Sequence, residues 1–228
     1  AYLKPWIDLY RAEARNGSIF VTGGDSVGAT QPISNFFGDK PTIYALNMMG
    51  LDADTLGNHN FDYGQLYLRT ELIPLAEYPH LAANVTYPNG KLPPEWKASQ
   101  VFEFDGFKLG VIGYTLTEIP QLVFPGSVDP FIITGPAAAV NAEAAKLLSK
   151  GKLNAVIAVG HLGADGGTVD AGQGLEDVTR GSHQGAGVAG TDTGICRTLF
   201  DKVDGDSHRG IFLGAQRLGR RFVHLDTL

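Results

Sequence analysis

Three times along this chain an apolar run ends in glycine and passes directly into polar side chains. SIFV at 18–21 leads into Gly23-Gly24-Asp25, the segment ending at Leu56 leads into Gly57-Asn58-His59, and NAVIAVG at 154–160 delivers His161. Short apolar runs bounded by glycine read as buried strands, and strands interleaved with helical periodicity build α/β layers. In such layers ligands collect at loops on the carboxyl ends of strands, so these three loops are expected to converge in space.

The segments between them supply helices. LKPWIDLYRAEAR at 3–15 spaces Leu3, Ile7, Tyr10 and Ala14 three to four positions apart, an amphipathic pattern closed by Asn16-Gly17. Pro41 opens PTIYALNMMG, with Ile43, Leu46 and Met49 toward the core and Gly50 as the stop. Pro136 opens a further helix through Lys150. Leu81 to Val85 reads as a strand, VFEFD and FKLGVIG flank Asp105-Gly106 as a hairpin, and alternation over 222–227 predicts a terminal strand pair.

From Gly160 to Gly194 the chain carries eleven of its 30 glycines, which predicts a surface excursion and not a second core. The 228 residues therefore read as a single α/β domain over 1–228 with a Gly-rich excursion at about 160–194.

Composition narrows the partners. No apolar run approaches the roughly 20 residues of a membrane helix, so no transmembrane segment is expected. The formal net charge of -6 is a poor background for a phosphate backbone, and no nucleic-acid polymer is expected as a partner. Cys196 is the sole cysteine, which excludes an internal disulfide and fits a small apolar role. GAGVAG at 185–190 matches a dinucleotide fingerprint in letters only, because neither a strand nor a helix flanks it. His80 and His224 read as structural or surface histidines. Asn16-Gly17-Ser18 and Asn84-Val85-Thr86 fit the glycosylation acceptor pattern, a triplet common by chance.

The chemistry concentrates in DTLGNHNFDYG at 54–64, where Asn58, His59, Asn60 and Asp62 crowd between two glycines. An amide oxygen is a neutral hard ligand, a carboxylate can bridge two cations, and imidazole can bind metal or donate a proton. Taken alone, Asp25 reads as a turn or cap carboxylate and His161 as an interface histidine; Asp25 becomes a ligand candidate beside His59 and Asp62, and His161 beside His59 and His208. Asp206 precedes His208 by two positions, which aims both the same way along an extended segment.

The runs GGDS at 23–26, ALNMMGLDADTLGNHNFDYG at 45–64, AVIAVGHLG at 155–163, VDGDSH at 203–208 and LGRRFVHLDTL at 218–228 together resemble the bacterial 5'-nucleotidase-like metallophosphoesterases of the calcineurin-like phosphoesterase superfamily. The family pattern Gly-Asn-His-Glu-Phe-Asp is kept except that Asn60 replaces the glutamate. The resemblance implies a four-layer αββα sandwich, here lacking its first strand, because the family opens with an Asp-x-His strand and this sequence begins in what corresponds to the following helix.

It further implies two divalent metal ions, of manganese, zinc, magnesium or calcium. Asp25 would bridge them, Asn58 and His161 would bind the second, and Asp206 and His208 would contribute late ligands, with His183 competing for that place. His59 would face the phosphoryl group with Asp62 behind its ring. The implied activity is metal-dependent hydrolysis of a small phosphorylated substrate, a nucleotide or related phosphomonoester, in a periplasmic or extracellular setting. Two departures, the Asp-x-His strand and Asp206 in place of a family histidine, support an alternative: a catalytically impaired, noncatalytic ligand- or partner-binding domain retaining the scaffold.

Overall fold

Residues 2–14, 16–150 and 153–162 are described by the structure, a computed structural model. In chain order the first elements are helices α1 (Leu3–Glu13), α2 (Pro32–Asn35) and α3 (Lys40–Met49), strand β1 (Asp54–Thr55), a 3-10 turn at His59–Phe61 and helix α4 (Gly64–Tyr67). Strands β2 (His80–Leu81), β3 (Val85–Thr86), β4 (Trp96–Lys97), β5 (Ser99–Phe104) and β6 (Phe107–Thr115) follow. Helix α5 (Ile119–Leu122), strand β7 (Ile132–Ile133), helix α6 (Pro136–Lys150) and strand β8 (Ala155–His161) complete the described chain.

One sheet is parallel, in the order β1-β2-β4, and a bridge from Val21 to Ala53 extends it by one position. The other has β6 between antiparallel β5 and parallel β8. Period-two alternation sorts β6 between two cores. Val111 faces Val21, Ala53 and Leu81 between the sheets. Ile112 and Tyr114 face Val140 and Ala144 of α6, together with Val156 and Ala158.

On the far side of the first sheet, Ile43 of α3 packs with Leu56, Phe61, Leu68 and Leu72, while Leu46 packs with Leu51 and Tyr78. The result is an α/β sandwich of two sheets flanked by helices. β3 and β7 form a separate antiparallel pair beside it.

The hairpin appears as expected, with Phe104 opposite Phe107 and both Asp105 and Gly106 at positive φ, the backbone hand that suits a two-residue turn. Gly50 ends α3 at φ 72. The expected strand over Leu81 to Val85 is divided instead between β2 and β3. Asn84 causes the break: its amide donates to the carbonyls of Thr115 (2.7 Å) and Thr134 (2.9 Å), and its oxygen accepts from the Thr115 N–H (2.9 Å). Being fully buried, Asn84 presents no glycosylation acceptor in the folded chain. Helix α1 buries no residue, and Arg11 ties it to the Gly50 carbonyl (2.6 Å) and to Asp52 (2.7 Å). The terminal strand pair and all but the start of the Gly-rich excursion lie outside the described residues.

Candidate functional site

The turn after Val21 places Asp25 at φ 56, a left-handed backbone that aspartate tolerates better than most residues. Asn60, 2% exposed, holds it there: its oxygen accepts from the N–H of Asp25 (3.1 Å) and from that of Gly57 (2.8 Å), joining two of the three loops. Gly57 has to be glycine, since a Cβ there would strike the Asp25 carboxylate.

Asp25 is the point on which all three loops meet. Its Oδ1 accepts from the backbone N–H of His59 (2.9 Å), and its Oδ2 lies 2.9 Å from Nε2 of His161. His161 reaches it from the last position of β8, opposite Thr115 of β6. The 3-10 turn then sets His59 Nδ1 at 2.8 Å from Asp62 Oδ2, so the ring donates to that carboxylate. Asn58 leads the same turn and is half-buried. Burial pulls the His59 imidazole down, but the hydrogen bond to Asp62 and the charges of Asp25 and Asp62 outweigh it and raise its pKa above the ordinary 6.5. The His59 side chain is 40% exposed, so the pair opens to solvent.

The structure thus sets Asp25 against His161 and the His59 N–H, pairs His59 with Asp62, and places Asn58 at the head of the same turn. Asp206 and His208, with the competing His183, lie outside the described residues. The metal centre is corrected: among the described residues, no group of three or more His, Cys, Asp or Glu side chains could hold a metal ion. At Asp25 the one His, Cys, Asp or Glu side chain brought into contact, among the described residues, is His161 at 2.9 Å, and the other oxygen accepts from the backbone N–H of His59. His59 turns Nδ1 to Asp62, so these two side chains pair with each other. The described residues do not make up a site for the two divalent ions implied by the resemblance. The readings of the chain as metal-binding, as a dinuclear metallophosphoesterase and as a metal-dependent hydrolase of a small phosphorylated substrate are corrected with it.

Two contributors escape a reading of the sequence. Asn60 is given no role there beyond its place in the polar cluster and its departure from the family pattern, yet it is the buried clamp of the site. Asp54 carries no role in that reading, yet it is 1% exposed and accepts from Ser26 Oγ (2.8 Å) and Thr22 Oγ1 (2.5 Å), one residue on either side of Gly23-Gly24-Asp25. A charged residue inside an apolar strand is the signal that could have marked it.

No family model matches the chain. It is 33% identical over 171 residues to Cell wall protein Lmo0130 of Listeria monocytogenes, covering 65% of this chain and 21% of that protein. It is 32% identical over 149 residues to a snake venom 5'-nucleotidase of Gloydius brevicauda, covering 64% of this chain and 24% of the other. In fold it matches the 5'-nucleotidase precursor of Thermus thermophilus at TM-score 0.61 and 24% identity, over 78% of this chain and 32% of that one. The chain thus spans no more than a third of the length of these relatives.

Proposed function

Since this chain belongs to the calcineurin-like phosphoesterase, 5'-nucleotidase-like superfamily, we propose that it is a noncatalytic ligand-binding domain that retains the phosphoesterase scaffold. The observation that carries this reading is that, among the described residues, no group of three or more His, Cys, Asp or Glu side chains could hold a metal ion, while Asp25 pairs with His161 and with the His59 N–H. A carboxylate so engaged serves to fix loops and rings in place. What remains open is a rim of imidazole and amide groups, with His59 held toward its charged form by Asp62 and Asp25.

That rim suits a small phosphorylated molecule. A protonated imidazole and a neutral amide can contact phosphoryl oxygens, and Asp62 fixes the direction of the ring. Asn58, His59 and His161 are the proposed contacts, with Asp25 and Asp62 as the groups that orient them. The small-molecule class is supported by relatives bearing the name 5'-nucleotidase. A location outside the cytoplasm, periplasmic or extracellular, is supported by relatives described as a cell wall protein and as venom proteins. Among the described residues, no helix is long and apolar enough to cross a membrane.

The test is calorimetric titration of the full chain with inorganic phosphate and with nucleoside monophosphates, in the presence of a chelator. Saturable binding with the ligand recovered intact, weakened at least about tenfold by His59→Ala or His161→Ala, is the expected result. Absence of binding to every phosphorylated probe would remove the proposal.

A further inference from the structure

Beneath the ligand loop lies a buried polar cluster that the site chemistry does not use. β1 and β2 are parallel, with Asp54 opposite His80, and both side chains are almost wholly buried. Asp54 is the anchor of the loop, accepting from Thr22 on one oxygen and from Ser26 on the other. His80 Nε2 stands 3.9 Å from the oxygen that accepts from Ser26, too far for a hydrogen bond. His80 Nδ1, the Tyr78 hydroxyl and Thr55 Oγ1 are buried without a hydrogen-bond partner among the described residues.

We propose that His80 and Asp54 form a proton-operated latch under the ligand site, in which protonation of His80 draws the Asp54 carboxylate away from Ser26 and releases the loop carrying Asp25. The step moves one proton from water onto the His80 ring, breaks the Ser26 Oγ–H to Asp54 bond and forms an Nε2–H to Asp54 bond. A neutral imidazole at 3.9 Å competes weakly with a hydroxyl at 2.8 Å. A buried imidazolium at the same place attracts the carboxylate strongly, because little solvent screens the pair.

Among the described residues, the groups around His80 leave Asp54 as the one charge it can recruit. β1 offers Asp54, its own segment offers Tyr78 with ring centroids 5.4 Å apart, and β4 places the uncharged Trp96 opposite it. Burial pushes the His80 pKa below the ordinary histidine value and the Asp54 charge offsets this in part, so the latch operates on the acid side of neutrality. The consequence is a ligand loop that is ordered near neutral pH and loosened in acid.

The inference takes the Asp25 loop to be the ligand loop, as proposed above, but its test needs no ligand and so fails or succeeds separately. Amide hydrogen exchange is followed on the full chain at about pH 7.5 and about pH 5, corrected for intrinsic rates, with the β5–β6 hairpin as the internal reference. Protection over residues 22–28 is expected to fall at least about tenfold relative to the hairpin on acidification, and His80→Gln is expected to abolish the change. Should His80→Gln not fold, an NMR titration of the wild-type His80 ring replaces it, and its midpoint must coincide with that of the loop. A loop whose protection is constant with pH, an equal loss in loop and hairpin, or non-coincident midpoints would overturn the latch.

Discussion

His161 at the end of β8 and Asp25 in the turn after Val21 meet at 2.9 Å, Nε2 to Oδ2, and this contact joins the two sheets of the sandwich at the edge where the three loops meet. Asp25 is also bonded to the His59 N–H, so one carboxylate fixes loops from three separate parts of the chain. An arrangement of this kind orders the site before any ligand arrives, which lowers the entropic cost of binding.

Asn60 is the second fastener. Asn60→Ala leaves the N–H groups of Asp25 and Gly57 without their acceptor in a buried setting, a cost of about 2–4 kcal/mol. Urea unfolding should show that loss, with Asn60→Asp recovering part of it because an acceptor oxygen remains. A change under about 0.5 kcal/mol for the alanine variant would show that the clamp is dispensable.

The share of this architecture legible in the sequence follows how local the signals are. The Asp105-Gly106 turn and the Gly50 stop act through their own backbones, and both could be read directly. The break at Asn84 depends on carbonyls at 115 and 134, far along the chain, so local pattern runs through it. β1 and β2 are two residues each, too short for any periodicity, and the burial of Asp54 against His80 follows only from their register. At the site, the residue types carried the resemblance, but the closure of Asp25 by His161 and by a backbone N–H is a tertiary fact with no sequence signature.

The His59 ring should titrate above 6.5. Its raised pKa means that protonation favours the folded state: this contribution is fully present below the unfolded value of 6.5 and is lost as pH rises through the higher folded value. Asp62→Asn removes the charge and replaces one acceptor oxygen with an NH2 donor, and should lower the midpoint in an NMR titration of the ring. An unchanged midpoint in that variant would contradict the pairing.

Gly113 on β6 faces Leu81 of β2 so closely that an added Cβ would enter both the Leu81 side chain and its carbonyl. Gly113→Ala should therefore push the sheets apart and cost about 1–3 kcal/mol, at the upper end of that range because backbone cannot turn aside as a flexible side chain can. The unfolding midpoint reports it, and a neutral result would mean that the sheets are more loosely joined than the Val21, Ala53, Leu81 and Val111 core indicates.

The central claim is that the superfamily scaffold here binds without metal-dependent turnover. The most direct measurement is metal stoichiometry by elemental analysis of the full chain after equilibration with manganese or zinc and desalting, combined with turnover of an aryl phosphate on the same sample. The account predicts that no divalent ion is retained in stoichiometric amount and that hydrolysis stays at the level of buffer, with or without chelator. Two ions per chain with turnover abolished by the chelator would contradict it.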